Sequence, residues 1–323
     1  MKVTLSNSDY LRNFDRFING LDFSNPEILY IYSHPKWISV HPAVLALITA
    51  MAMRAGKKNV KFENLTATSG SYLDRMGLFE FTNQTSPYSI HKKEESGRFI
   101  PVTVIKNSTE QSKFITDMIP LLHLPADKTD AIKYTVGELL RNVLEHSRSS
   151  DGAIVAAQYY KKSNTIRIGI CDGGIGIQKS LQQFWASQAK SDIEAIKWAL
   201  VPGISGTTRK EGGTEDNAGA GLFFIKSIAQ VARSYFMIYS GSGIFKLLLH
   251  DKRIEKPRLH SDPDDDRHSE RNDAPYFQGT LVAIDISLES KSEFTQLLSA
   301  IREVYGKAVR DRKRRKYKEP KFV

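Results

Sequence analysis

Four short motifs, in a fixed order, constrain this chain more than any other feature. The first is "GELLRNVLEHS" (137–147), in which Glu138 and Asn142 stand four residues apart within an apolar-periodic stretch. That spacing puts both on one face of a helix. The second is "CDGGIGI" (171–177), where Asp172, Gly174 and Gly176 alternate at the end of an apolar strand. A carboxylate there can accept from an exocyclic amine, and residues without a Cβ let backbone approach a flat ring. The third is "NAGAGLFFIK" (217–226), where Gly219 and Gly221 open a helix whose free N–H groups attract phosphate. The last is a strand, "GTLVAIDIS" (279–287), opening on Gly279 and Thr280. Each has a plain alternative taken singly. Asp-Gly pairs are common in turns, and a glycine pair can serve as a flexible helix entry.

The elements around these motifs read as α+β. In the first part, 27–33 and 59–65 are strand candidates, 41–56 is a helix closed by Gly56, 69–81 is a short helix and 98–106 a further strand. The polar stretch 82–97 reads as a loop, and a boundary is expected near residue 107. Two helices follow, 109–124 and 126–147. A hairpin, 152–172, turns at Ser163-Asn164. After it come helices at 191–200 and 222–232, a second hairpin at 234–250, the strand 279–287 and a closing helix, 291–307. The charged stretch 251–275 reads as a mobile insertion. The expected organisation is a small α/β domain at 1–107, a larger one at 108–305, and a basic tail at 306–323.

Composition limits function. The 323 residues carry a net charge of +10, but 306–323 hold nine Lys or Arg against Asp311 and Glu319. The tail thus supplies +7 and the rest +3. Such a tail can attract nucleic acid or an acidic surface, or can simply be a solvated end. No apolar run is long enough for a membrane helix, and the first residues lack a secretion-signal core. The single cysteine, Cys171, excludes an internal disulfide and fits a reducing, cytoplasmic setting.

Taken in order, the motifs of about 109–305 resemble the GHKL superfamily of DNA gyrase, the large heat-shock chaperone, histidine kinases and mismatch-repair MutL. The resemblance implies a Bergerat-type ATP-binding α/β sandwich, a mixed sheet with helices on one face. It also implies ATP and Mg²⁺ as cofactors. Asn142 matches the asparagine that holds Mg²⁺, and Glu138 the carboxylate that acts as general base. Asp172, Gly174, Gly176 and Thr280 match the adenine-binding positions. Gly219, Gly221 and Leu222 match the phosphate-binding box. The stretch 203–221 looks like the ATP lid, from which Arg209 and Lys210 could reach phosphate. Within the superfamily, "VGELLRNVLEHS" is similar to the anti-sigma-factor serine kinases. Histidine autophosphorylation is disfavoured, because only one helix, carrying His123, precedes the site. The β-α-β-α order of the first part loosely resembles a STAS domain, with Ser69 and Ser71 as acceptor-like serines. Two readings stay open. One is an ATPase or protein serine/threonine kinase acting on a protein partner. The other is a nucleotide-gated binding module with little turnover, touching nucleic acid through its tail.

Overall fold

The computed structural model describes residues 1–88, 99–117, 124, 126–206, 221–249, 258–288 and 294–318. Two sheets form. Strands β1 (Lys2–Leu5), β2 (Leu29–Ser33) and β3 (Val60–Glu63) make a parallel sheet in that order. The second sheet has seven strands in the order β4-β5-β6-β10-β7-β8-β9. They are β4 (Phe99–Ile105), β5 (Ala153–Tyr160), β6 (Thr165–Asp172), β7 (Phe236–Gly241), β8 (Gly243–Leu247), β9 (His268–Arg271) and β10 (Phe277–Ser287). All its pairings are antiparallel. The sheet expected to be mixed is therefore antiparallel throughout its described strands. For two of these pairs the cause is local: β5–β6 and β7–β8 are joined by connections of a few residues, which permit only antiparallel pairing.

The helices are α1 (Phe14–Asn19), α2 (Pro42–Ala55), α3 (Ser71–Arg75), α4 (Leu78–Phe81), α5 (Ser108–Asp117), α6 (Ala126–His146), α7 (Gly176–Trp185), α8 (Asp192–Ala199), α9 (Gly221–Val231) and α10 (Phe294–Lys318). The single helix expected at 69–81 is two, because Gly77 breaks it with φ +78°. Four elements were not read from the sequence: β1, α1, α7 and β9.

The large sheet separates two cores by strand alternation. On β6, Ile166, Ile168 and Ile170 face the core built with α6, while Cys171 faces the core built with α2. β10 repeats the pattern with Val282 and Ile284 on one face and Leu281 and Ala283 on the other. Helix α2 lies against β5, β6 and β10 on one side and against β2 on the other. That position accounts for its sequence, apolar all round. Its approach is close: a Cβ at Gly169 would stand 2.2 Å from the Ala43 Cα. His41 caps α2 by accepting from the Ala43 N–H (3.0 Å) and is 2.9 Å from the Asp285 carboxylate on β10. Burial holds the imidazole below its usual pKa. With Nδ1 accepting from the Ala43 N–H, Nε2 is the ring nitrogen placed to donate to Asp285.

The boundary expected near residue 107 falls after β4, and β4 is the edge strand of the large sheet. The insertion also differs from expectation. Within its described part, Pro263–Asp265 forms a helical turn and β9 pairs with β8. Asp266 is buried and ion-paired to Lys226 of α9, whose ammonium also donates to the His260 carbonyl at 3.0 Å. The closing helix runs well past residue 307, so most of the basic segment continues α10. Among the described residues, no helix is long and apolar enough to cross a membrane.

Candidate functional site

Helix α6 owes its position to Ile132, Val136, Leu139, Leu140 and Val143, which form one apolar stripe against the sheet. Glu138, Asn142 and Glu145 flank that stripe and open onto a cavity of about 330 Å³. Its floor is the centre of the sheet, where Asp172 of β6 and Thr280 of β10 sit directly opposite each other. Its walls are α6, the first turns of α7, residues 199–206 and the start of α9.

The first and third motifs meet here. A Cβ at Gly221, the first residue of α9, would lie 3.0 Å from Glu138 Oε2 and 3.2 Å from Asn142 Nδ2. A side chain at 221 would crowd both groups, so glycine lets them keep their present positions beside the start of the helix. Asn142 Nδ2 is buried and has no hydrogen-bond partner. A buried amide left this way is costly, so it is an open position for an acceptor entering the cavity. Glu138 is raised above the usual carboxylate range by burial, against the lowering effect of Arg141, with Glu145 adding to the rise. Arg141 Nη2 stands 3.1 Å from Glu138 Oε1. His146, at the end of α6, is held below its ordinary value by burial.

Asp172 is 2% exposed, and burial pushes its carboxyl up to about 7, although backbone hydrogen bonds from Gly174 and Thr280 oppose the rise. The Gly174 N–H donates to Asp172 Oδ1 at 2.8 Å. Ser240 locks the adjoining strand: its hydroxyl donates to the Gly279 carbonyl (2.8 Å) and accepts from the Ile177 N–H (3.0 Å). The Asp172 loop is tied to α6 as well, because the Ile175 N–H donates to the Ser147 carbonyl at 2.8 Å.

Glu138, Asn142, Asp172, Gly176, Gly221, Leu222 and Thr280 therefore all line one cavity. Gly174 does not. A Cβ there would meet the Ser147 carbonyl oxygen at 2.0 Å, so the protein's own backbone demands this glycine. Gly219, Arg209 and Lys210 lie outside the described residues, as does most of the stretch read as a lid. Sequence reasoning passed over Arg141, Tyr134, Ser180, Ser205 and Ser240. Arg141 was open to detection, three residues from Glu138 on the same helix. The serines carry no periodic signal.

Residues 109–235 match the family model of the histidine kinase-like ATPase domain. The match supports a GHKL-type assignment and ATP binding, and the α+β sandwich around the cavity agrees with it. It spans α5 to α9 and so includes Glu138, Asn142, Asp172, Gly176 and Gly221. Thr280, which completes the cavity floor from β10, lies beyond it. No curated protein matches the chain.

Proposed function

We propose that the cavity binds ATP with Mg²⁺, and that the protein hydrolyses it or passes its γ-phosphate to a serine or threonine of a protein partner. One observation carries the reading: the start of α9 meets Glu138 and Asn142 on α6 inside a single pocket. Asp172 stands on the same floor.

The donor set suits these ligands. The amide oxygen of Asn142 is the kind of hard donor that Mg²⁺ prefers, and its buried, unpartnered Nδ2 is left to donate to a phosphate oxygen. Bound Mg²⁺ would supply charge neutralisation along the phosphates. The buried Asp172 carboxyl, with Thr280 beside it, would accept from the adenine amine. The N–H groups at the start of α9, with Gly221 and Leu222, would hold phosphate. Gly176 would shape the ring's edge. Gly219, Arg209 and Lys210 would add phosphate contacts. Glu138, raised by burial, would take the proton of the attacking water or hydroxyl.

The N-terminal part would be a STAS-like regulatory unit, and its parallel β1-β2-β3 sheet supports that reading. We read the setting as cytoplasmic, since a chain with a single cysteine suits a reducing compartment. The exposed lysines and arginines of α10 leave room for nucleic acid as a second partner. The test is turnover and binding in Glu138→Gln. Turnover is expected to fall at least about 100-fold, the lower range for a lost general base, while ATP still binds. Equal turnover in both proteins would remove Glu138 from the chemistry. Binding without turnover in either would favour a nucleotide-gated module.

A further inference from the structure

Glu138 faces two ways. Oε1 is 3.1 Å from the Arg141 guanidinium, and Oε2 is turned to Gly221, the first residue of α9. The carboxylate thus occupies the neighbourhood of a helix N-terminus, where an anion is favoured. A phosphate arriving there would stand beside a like charge. Arg141 is the cation placed to resolve that conflict. It lines the cavity, and its side chain is 46% exposed against 16% for Glu138.

The present pair is weak enough to exchange. An ion pair with a half-exposed partner contributes little, because solvent screens it. A phosphate offers the planar guanidinium a stronger, bidentate partner. Arg141 can leave Glu138 without a change in α6, because only the long side chain must turn.

Building on the ATP reading above, we propose that Arg141 distinguishes triphosphate from diphosphate. It exchanges Glu138 for the terminal phosphate and so uncovers the carboxylate only when a triphosphate is bound. With a diphosphate, Arg141 stays on Glu138 and the base remains covered. Arg141 is on this account a specificity-determining residue, and the exchange couples occupancy of the pocket to release of Glu138.

The test is equilibrium binding of ADP and of a non-hydrolysable ATP analogue, both with Mg²⁺. It compares the full-length wild type, Arg141→Ala, Glu138→Gln and the double variant. Arg141→Ala is expected to weaken the triphosphate at least about fivefold, the lower range for a coupled site, with ADP affinity unchanged. The unchanged ADP affinity also shows that the variant is folded. In the Glu138→Gln background the same alanine substitution is expected to cost more, because no ion pair is then given up on moving to phosphate. Arg141→Lys is expected to keep part of the preference. Equal loss for both nucleotides, or an Arg141→Ala effect identical in the two backgrounds, overturns the inference and leaves the ATP reading standing. Failure of either nucleotide to bind the wild type overturns both.

Discussion

Asp172 is buried beneath the cavity with its carboxyl near pH 7, and an unfolded aspartate titrates near 3.8. The folded state therefore holds the extra proton between these values. Its contribution to stability is complete below the unfolded pKa, is lost as pH rises from about 4 to about 7, and is level above. Other groups titrate in the same window, so the test is a difference. Stability of Asp172→Asn minus that of the wild type, measured by denaturant unfolding, is expected to grow across this window and then stay constant. A difference independent of pH would show that Asp172 is not so perturbed. Glu138, Asn142 and Asp172 were legible because spacing and strand position fix where such side chains go. Gly174 was legible as a position needing glycine, but the backbone contact that demands it was not. A sequence shows a missing side chain and not what fills its place, here the Ser147 carbonyl.

Helix α9 shows why a helix can be recognised while its surroundings are not. Phe223 to Gln230 are all buried, because the sheet covers one side and Ile301 and Tyr305 of α10 cover another. Lys226 and Gln230 are then buried polar groups. Asp266 meets the Lys226 ammonium and the Gln230 amide nitrogen, Nε2, which donates to its Oδ1 at 2.8 Å. The insertion carries its own anchor for α9. Lys226→Met, which leaves the Asp266 carboxylate uncompensated, is expected to destabilise by about 3–5 kcal/mol. Adding Asp266→Leu is expected to recover part of that loss. Additive losses in chemical denaturation would mean the two groups do not act as a pair. This anchor was illegible because the stretch is charged and lacks apolar alternation. The other missed elements have similar causes. β1 and β9 span only four residues each. α7 starts inside a glycine motif. α10 runs on through lysines and arginines that are good helix formers but also look like a tail.

At the scale of the molecule, α2 joins the two parts of the chain. One hydrophobic cluster contains Leu5, Ile31 and Leu47 from the first part together with Ile154, Cys171 and Leu281 of the large sheet. Tyr239 and Phe277 belong to it too. The sheet was expected to carry helices on one face only; its other face is covered by residues before 107, α2 above all, which alternation within the strands could not show. Further ties follow the same seam: Asp15 pairs with Lys246, and Asn19 accepts from Arg271 Nη1 at 2.7 Å. The whole chain is therefore expected to unfold in one transition, with calorimetric and van't Hoff enthalpies equal. Two separated transitions would mean that the first part folds apart from the sheet.

The most direct measurement is a calorimetric titration of ATP with Mg²⁺ into the full-length protein, alongside Asn142→Ala and Asp172→Ala. The account predicts binding by the wild type at one site per chain, weakened at least about tenfold in each variant, the size of a lost hydrogen bond to a charged group. Binding unchanged in both variants, or no binding by the wild type, would contradict the assignment of this cavity as the nucleotide site.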